Sequence, residues 1–529
     1  MAASHTGFIG RFRQEPQLQV LAALLLLLPP VFFLFPVPID ETRYLAVAWN
    51  MHLSGQWLVP RLDGAPYSDK APLLFWLINL VWAVTGVHAW AARLLELLLA
   101  LATLPLLASL GRRLGAAPAA VQASLWLWLG CAAFAVYAGT VMFDMLLTLC
   151  TLVAWRATPA LAGRRWPLAV AAMALALGAG VLVKGPVALL VGGVPALLTP
   201  WWRPQTRPLS SWLRLLAALL GAVLLALAWA LPAARAGGPQ YADAIFLRQT
   251  VGRMAQSFAH ARPWWWYLPI LPAMLLPWVA ALGRGEAATG GGGMLDRFVV
   301  AAFVPGFVLF SVISGKQPHY LLPLLPALTL AGGMRLGAGR WRVVGWRVGL
   351  VLGLIGIAVA VGLGKLAVDH AGRVEAIACG VLIVGVGLSF VASRRTTPLP
   401  LGHAALGMLA ALLLCKLAFV LGVGPRYDVA AAARRVAAAQ QAGVPLLFAG
   451  PQYGLLTFAG RLTAPIPATT NPAAVTAWAY AHPQGWVISS EPDYHYPATP
   501  LYRQPYRDGS LTVWRAGDVA GAAADPSRG

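Results

Sequence analysis

Apolar residues fill this chain in long runs, and short segments rich in charged, glycine and proline residues separate the runs. A helix that crosses the roughly 30 Å hydrocarbon core of a bilayer needs about 20 apolar residues. The stretch 73–85 is apolar but too short to span, which predicts an interfacial or re-entrant helix. The longer runs predict about thirteen membrane-spanning helices, at 17–37, 89–111, 117–137, 144–160, 167–184, 186–201, 213–233, 264–283, 297–314, 320–334, 348–366, 374–393 and 403–424.

Composition supports a membrane protein. Of the 529 residues, 59% are hydrophobic and 11% are charged, whereas a soluble globular domain carries about 25% charged residues. The formal net charge is +21, and arginines in short pairs between apolar runs contribute to it, such as Arg112/Arg113 and Arg164/Arg165. Arginines placed in this way are typical of cytoplasmic loops. They favour a multi-pass membrane protein, surrounded by membrane lipids, over a protein that binds nucleic acid.

The same arginines orient the chain. If the N-terminus is cytoplasmic, every predicted inside loop carries at least two basic residues, as the positive-inside rule requires. The segments with the most varied polar side chains then lie outside, which predicts chemistry at the outer surface of the membrane. They are the first loop at 38–88, the loop 234–263, the turn 314–320 and the chain after 424.

The composition changes after about residue 425, where alanine-rich and β-branched segments alternate with glycine and proline. This pattern predicts a small α/β domain on the outer face at 425–529, following a transmembrane domain at 1–424 that carries the candidate chemistry. No nucleotide-binding fingerprint occurs in it. The predicted elements are a helix at 428–441 and strands at 444–448, 486–489 and 511–514.

The first outer loop gathers charges of both signs. Asp40 could orient or deprotonate an acceptor at the membrane surface, or it could cap a helix that runs through Tyr44. Lys70, fixed by Asp69 and Tyr67, could bind a lipid-linked phosphate, or it could extend to lipid headgroups. The charged residues of the loop are Asp40, Glu41, Arg43, Arg61, Asp63, Asp69 and Lys70.

Two further ionisable residues interrupt apolar runs. Asp144 lies in an otherwise apolar segment, where an acid is energetically expensive and marks a functional candidate. A structural ion pair is the alternative. Lys184 precedes Gly185-Pro186, so a cation coincides with a predicted helix break, although a plain turn explains the break equally well.

The remaining outer segments supply arginines and a short polar turn. A guanidinium binds phosphate bidentately, although these arginines could instead contact lipid headgroups. Lys316, His319 and Tyr320 lie in the turn, where His and Tyr are more often interfacial residues than catalysts. No cluster shows metal-ligand spacing, so we assign no cofactor and leave a divalent metal open. The arginines are Arg248, Arg253 and Arg262.

Together these residues resemble a known family. The chain is similar to the aminoarabinose transferases of Gram-negative bacteria and, more broadly, to integral-membrane GT-C glycosyltransferases that use a polyprenyl-phosphate sugar, including protein O-mannosyltransferases. The family typically has Glu-Lys-Pro where this chain has Asp69-Lys70-Ala71-Pro72. The motifs that carry the resemblance are Asp40-Glu41-Thr42-Arg43-Tyr44, Ser54-Gly55 to Pro60, Tyr67 to Lys70, Asp144, Lys184-Gly185, Arg253 to Trp264, and Gly315-Lys316 to Tyr320.

The resemblance implies thirteen spans, juxtamembrane helices in the first outer loop and a periplasmic α/β domain. It implies that Asp40 is the key carboxylate, with a role for Asp144, and that Lys70, Arg253 and Tyr320 surround the donor phosphate, with Arg248 and Arg262 as rivals of Arg253. We also expect substrate contacts from six residues of the motifs. They are Glu41, Arg43, Tyr44, Tyr67, Asp69 and Lys184.

The function predicted from sequence is glycosyl transfer from a polyprenyl (undecaprenyl) phosphate sugar to a periplasmic acceptor such as lipid A or another envelope glycan. The alternatives are a protein O-glycosyltransferase and a flippase or transporter of lipid-linked sugars. A transporter needs charged residues near the bilayer midplane, whereas here the charges gather at one rim, which favours an enzyme.

Overall fold

A computed structural model describes residues 16–246, 261–285, 293–392, 400–491 and 496–524. Up to Arg426 the described chain is almost entirely helical. The longer helices are Pro16–Leu27, Asp40–Ser54, Leu73–Thr85, Ala89–Arg113, Pro118–Leu129, Phe143–Ala157, Trp166–Lys184, Val187–Leu197, Pro208–Gly237, Tyr267–Met274, Met294–Val312, Leu325–Gly337, Gly345–Ala358, His370–Ala392 and Leu401–Ala418.

Eight helices of the described ranges are long and apolar enough to cross a membrane, and 17–33, 73–85 and 187–202 are shorter apolar helices. The protein therefore has a multi-pass helical membrane fold, while the count of thirteen spans stays a prediction. Several predicted spans are broken. The predicted span 117–137 consists of Pro118–Leu129 and Ala132–Tyr137. The region 264–283 contains Pro272 and Pro277, and proline interrupts helical hydrogen bonding.

The chain after residue 429 folds around a mixed five-stranded sheet. The helix Ala430–Gln441 and the strands Leu446–Ala449, Trp486–Ser489 and Gly509–Arg515 correspond to the four elements predicted from the sequence. In space the order is Ala468–Thr469, Leu446–Ala449, Trp486–Ser489, Gly509–Arg515, Tyr502–Tyr506, and the helices Pro472–Ala481 and Ala516–Ala524 complete the unit.

This α/β unit is held against the loop 38–88 by the segment 451–462. Asp63, which sits in the turn of a short hairpin, accepts hydrogen bonds from the amide of Gly454 at 2.9 Å and the hydroxyl of Thr457 at 3.2 Å. The Trp82 and Phe458 rings stack with centroids 5.5 Å apart. The loop, the helix Asp40–Ser54 and the α/β unit thus form one packed layer.

Candidate active site

Asp40 is the first residue of the helix Asp40–Ser54, and its side chain is half-buried. It is not the N-cap residue, because Ile39 occupies that position. The hydroxyl of Tyr44, one turn later, donates to the Asp40 carboxylate at 3.4 Å. The Tyr44 ring meets Phe143 edge-on at 4.9 Å. Burial and the neighbouring Asp40 raise the pKa of Tyr44, so Tyr44 remains a protonated donor.

Glu41 has a different environment. Its carboxylate accepts from Arg93 Nη2 at 2.7 Å and Nε at 3.2 Å, and from the amides of Val37 and Val141, both at 2.9 Å. Glu41 and Arg93 are 3% and 1% exposed. Burial alone raises the pKa of Glu41, but Arg93 and the two amides outweigh burial and hold that pKa below its ordinary value. Glu41 therefore fastens the start of the helix that carries Asp40.

A cavity of about 620 Å³ lies between the segment 68–71 and several apolar helices, and we call it the Lys70 cavity. Lys70, Asp69, Lys184 and Tyr320 all line it, although they are far apart in sequence. The Lys70 ammonium lies 6.0 Å from the centroid of the Phe143 ring. Most of the wall is apolar and includes Leu147, Val181, Leu189, Leu190, Val223, Leu227, Phe246, Leu309 and Phe310.

Asp144 and Lys184 form an ion pair, and Lys184 also lines the Lys70 cavity. Lys184 Nζ lies 2.5 Å from Asp144 Oδ1, and the Lys184 ammonium lies 4.2 Å from the centroid of the Tyr320 ring. Asp144 is in the first turn of its helix and Lys184 is in the last turn of another, so each charge complements its helix dipole. Gly185, with φ of +76°, ends the second helix, which confirms the predicted break.

His319 joins the same group through Asp144, at 3.9 Å from Nε2 to Oδ2. The pKa of His319 is lowered to about 4, mainly by burial, while Lys184 and Lys70 add to the lowering and Asp144 and Asp40 oppose it. The imidazole is therefore neutral at neutral pH. The sequence had pointed to His319 only as an ordinary interfacial residue.

The other predicted residues lie around these groups. The Arg43 guanidinium stacks on Tyr453 of the α/β unit at 5.0 Å. Tyr67 is buried and packs edge-on against Phe75, with ring centroids 6.4 Å apart. The carbonyl of Arg262 accepts from the buried Lys316 ammonium at 3.1 Å. Arg253 and Arg248 lie outside the described residues.

The structure thus brings Lys70, Asp69, Lys184 and Tyr320 to one cavity and links Asp40 to it through Tyr44 and Phe143. Sequence reasoning missed Arg93, although a charged residue inside the apolar run 89–111 was a usable signal. It also missed Phe143, because an aromatic residue in an apolar run gives no signal of a functional role. No group of three or more His, Cys, Asp or Glu side chains in the described ranges could hold a metal ion.

Comparison with known proteins confirms the resemblance drawn from the motifs. Residues 69–233 match a family model described as dolichyl-phosphate-mannose-protein mannosyltransferase. An undecaprenyl phosphate-α-4-amino-4-deoxy-L-arabinose arabinosyl transferase of Pseudomonas fluorescens is 32% identical over 353 residues, covering 63% of this chain and 64% of the relative. One from Edwardsiella ictaluri is 31% identical over 320 residues, covering 57% of this chain and 56% of the relative. The chain thus matches less than two thirds of the length of these relatives.

The fold comparison covers more of the chain. A crystal structure of ArnT from Cupriavidus metallidurans bound to undecaprenyl phosphate superimposes with a TM-score of 0.75 at 18% identity, covering 94% of this chain and 97% of that chain. The apo structure of the same protein gives the same TM-score, with 96% of this chain covered and 98% of that chain. At this identity the likeness concerns the fold.

Proposed function

We propose that this chain, which resembles the aminoarabinose transferases in sequence and in fold, is a membrane glycosyltransferase. It would move a sugar from undecaprenyl phosphate, or a related polyprenyl phosphate, to lipid A or another envelope glycan. The observation that carries the proposal is the Lys70 cavity, which joins a long apolar wall to a cluster of cationic and phenolic side chains. A polyprenyl chain needs the apolar wall and its phosphate needs the cations. The relatives named for such a donor support this choice.

The polar end of the cavity suits a phosphate leaving group. Negative charge grows on the lipid phosphate as the bond to the anomeric carbon breaks. Lys70 and the hydroxyl of Tyr320 would stabilise that charge, and preorganised contacts of this kind contribute about 10²–10³-fold in rate each. Arg253 remains our proposed third contact. Lys184 would add charge beside them, with Asp144 fixing its position through their ion pair.

Asp40 would act on the acceptor. If the acceptor is a hydroxyl, the Asp40 carboxylate serves as general base. If the acceptor is a phosphate of lipid A, the nucleophile is already anionic, and Asp40 then orients the acceptor or holds an amino group of the sugar. The hydrogen bond from Tyr44 fixes the carboxylate in either case. Arg43 and Tyr67 would line the approach to it.

We also propose an orientation. The arginine pairs place the inside loops in the cytoplasm, so the site would lie at the periplasmic face of the inner membrane, together with the α/β unit at 425–529. The unit packs on the loop 38–88, which carries Asp40 and Lys70, so the two must share one side of the bilayer. Two accessibility measurements from the periplasmic side would test this placement. One is cleavage of the unit by a protease, and the other is labelling of cysteines introduced in the unit with a membrane-impermeant thiol reagent.

A sidedness experiment tests the activity. The purified protein would be reconstituted in liposomes, with an undecaprenyl-phosphate aminosugar and lipid A confined to the same leaflet. An enzyme makes product without any lipid crossing, whereas a flippase makes none. The Lys70→Ala variant should lose at least about 100-fold in rate. Lys365→Ala, which removes an exposed lysine outside the cavity, is the matched control. Wild-type protein without same-leaflet product would refute the proposal.

A further inference from the structure

A second cavity, of about 390 Å³, lies where the start of the helix Asp40–Ser54 meets the α/β unit. Its volume falls within the range of about 300–1,000 Å³ that is common for small-molecule sites. Unlike the Lys70 cavity, it is lined largely by polar side chains. We call it the Gln452 cavity, and its lining includes Ile39, Thr42, Gln452, Ser490, Glu491 and Tyr506.

Gln452 is the unusual residue of this cavity. Its side chain is 4% exposed, yet neither Oε1 nor Nε2 has a hydrogen-bond partner among the residues that the structure describes. Buried polar groups are nearly always paired, and leaving both ends of an amide unpaired costs stability. The amide offers one acceptor and two donor hydrogens, so a ligand able both to donate and to accept would satisfy it.

The backbone of the cavity is also unusual. Tyr453 and Arg507 line it with φ of +49° and +50°, and they are two of only four non-glycine residues with positive φ in the described ranges. Non-glycine residues held in this conformation gather at ligand-binding sites, where the surrounding structure maintains the strain. Two of them at one cavity support a binding role for it.

The chemistry of the lining points to a sugar. A sugar hydroxyl both donates and accepts, so it can pair with either end of the Gln452 amide. The Ser490 hydroxyl and the Glu491 carboxylate offer further partners, and the exposed Arg507 and Asp508 also line the cavity.

The position of the cavity relates it to Asp40. Ile39, the residue before Asp40, and Thr42, two residues after it, form part of its wall. We propose that the Gln452 cavity binds the sugar part of the acceptor and presents it to Asp40, while the donor lipid occupies the Lys70 cavity. This inference rests on the proposed glycosyltransferase function. Under this proposal the α/β unit contributes directly to recognition of the acceptor.

The test measures binding directly, so that it does not depend on turnover. The full-length protein in nanodiscs would be titrated calorimetrically with the acyl-free, phosphorylated glucosamine disaccharide of lipid A. A parallel titration with inorganic phosphate distinguishes recognition of the sugar from recognition of the phosphate. We expect disaccharide binding to depend on Gln452, whereas any binding of inorganic phosphate in the Lys70 cavity should be the same in the wild type and in Gln452→Leu. Gln452→Leu should weaken binding by on the order of 10-fold or more.

Matched controls separate binding from folding. Gln484→Leu removes an exposed glutamine outside the cavity and should bind as the wild type does. Because Gln452→Leu removes an unpaired buried amide, its Tm without ligand should equal or exceed that of the wild type. A purely structural glutamine would lower the Tm instead. If Gln452→Leu does not accumulate, Gln452→Asn replaces it in the test. This variant keeps the amide but withdraws it by one methylene, and it should also bind the disaccharide more weakly than the wild type.

The possible results are distinct. Disaccharide binding by Gln452→Leu that equals the wild type, or a loss of inorganic phosphate binding in that variant as large as its loss of disaccharide binding, overturns the inference. Binding that depends on Gln452 in a protein without transfer activity would refute the proposed function and leave the sugar site standing. Transfer activity without disaccharide binding would refute the sugar site and leave the transferase standing.

Discussion

The buried Glu41–Arg93 pair gives the most specific structural prediction. It links the start of the helix that carries Asp40 to the helix Ala89–Arg113, and the Arg93 guanidinium also donates to the carbonyls of Leu34 and Phe35. Glu41→Gln keeps the shape of the side chain and removes its charge. The Arg93 guanidinium then stays buried, and residue 41 no longer supplies a negative charge to pair with it.

The magnitude follows from the burial of both partners. Removing one member of a buried ion pair typically costs about 3–5 kcal/mol, because the other charge stays desolvated. With Glu41 and Arg93 only 3% and 1% exposed, solvent screening is small, so we expect Glu41→Gln to destabilise the protein by about 3 kcal/mol or more. Arg93→Met should cost a similar amount, and the double variant should cost less than the sum of the two.

The assay is thermal unfolding of the purified protein in detergent for the four members of this double-mutant cycle. Glu375→Gln, which neutralises an exposed glutamate outside both cavities, is the matched control and should leave the Tm unchanged. A substrate-binding role for Glu41, which the sequence suggested, would reduce transfer without changing the Tm. An unchanged Tm for Glu41→Gln, or strict additivity in the cycle, would refute the reasoning.

Three further predictions concern other contacts. Asp144→Asn should lower the Tm, because it removes the charge that pairs with Lys184 at 2.5 Å. Adding Lys184→Met should recover part of the lost Tm, and no recovery would count against a stabilising ion pair. Asp63→Ala removes two hydrogen bonds to the α/β unit and should weaken the docking of the unit by about 1–3 kcal/mol. Proteolysis between the spans and the unit should then be faster, and unchanged cleavage would contradict this docking contact. The pKa of His319 is lowered from 6.5 to about 4, so the folded state loses stability as pH falls through this window, by roughly 3 kcal/mol in total. His319→Gln should therefore show a smaller fall in Tm between pH 7 and pH 4.5 than the wild type; equal falls would contradict this assignment.

Local patterns predicted much of the fold. Apolar runs of about the spanning length indicated where the helices lie, because the hydrocarbon core fixes that length. Glycine and proline after Lys184 predicted the helix break, and alternation after residue 425 predicted the strands Trp486–Ser489 and Gly509–Arg515. The short strand Ala468–Thr469 was missed, because two residues carry no readable period.

The candidate site was predictable only where a residue type conflicts with its surroundings. Asp144 and Lys184 stand out because a charge in an apolar run is expensive, but the sequence could not show that they pair with each other, since 40 residues separate them. Gln452 gave no signal at all. An amide in a polar segment is ordinary until the fold buries it, and that burial depends on docking against residues some 400 positions earlier in the chain.

The most direct test of the account is single-turnover transfer by the purified protein in nanodiscs, with an undecaprenyl-phosphate aminosugar as donor and lipid A as acceptor. The account predicts product from the wild-type protein and from Lys365→Ala. It predicts a loss of at least about 100-fold in rate for both Lys70→Ala and Asp40→Asn, with wild-type Tm values in each. Wild-type rates in the Lys70 and Asp40 variants would contradict the assignment of the active site, and the absence of product from the wild-type protein would contradict the proposed function itself.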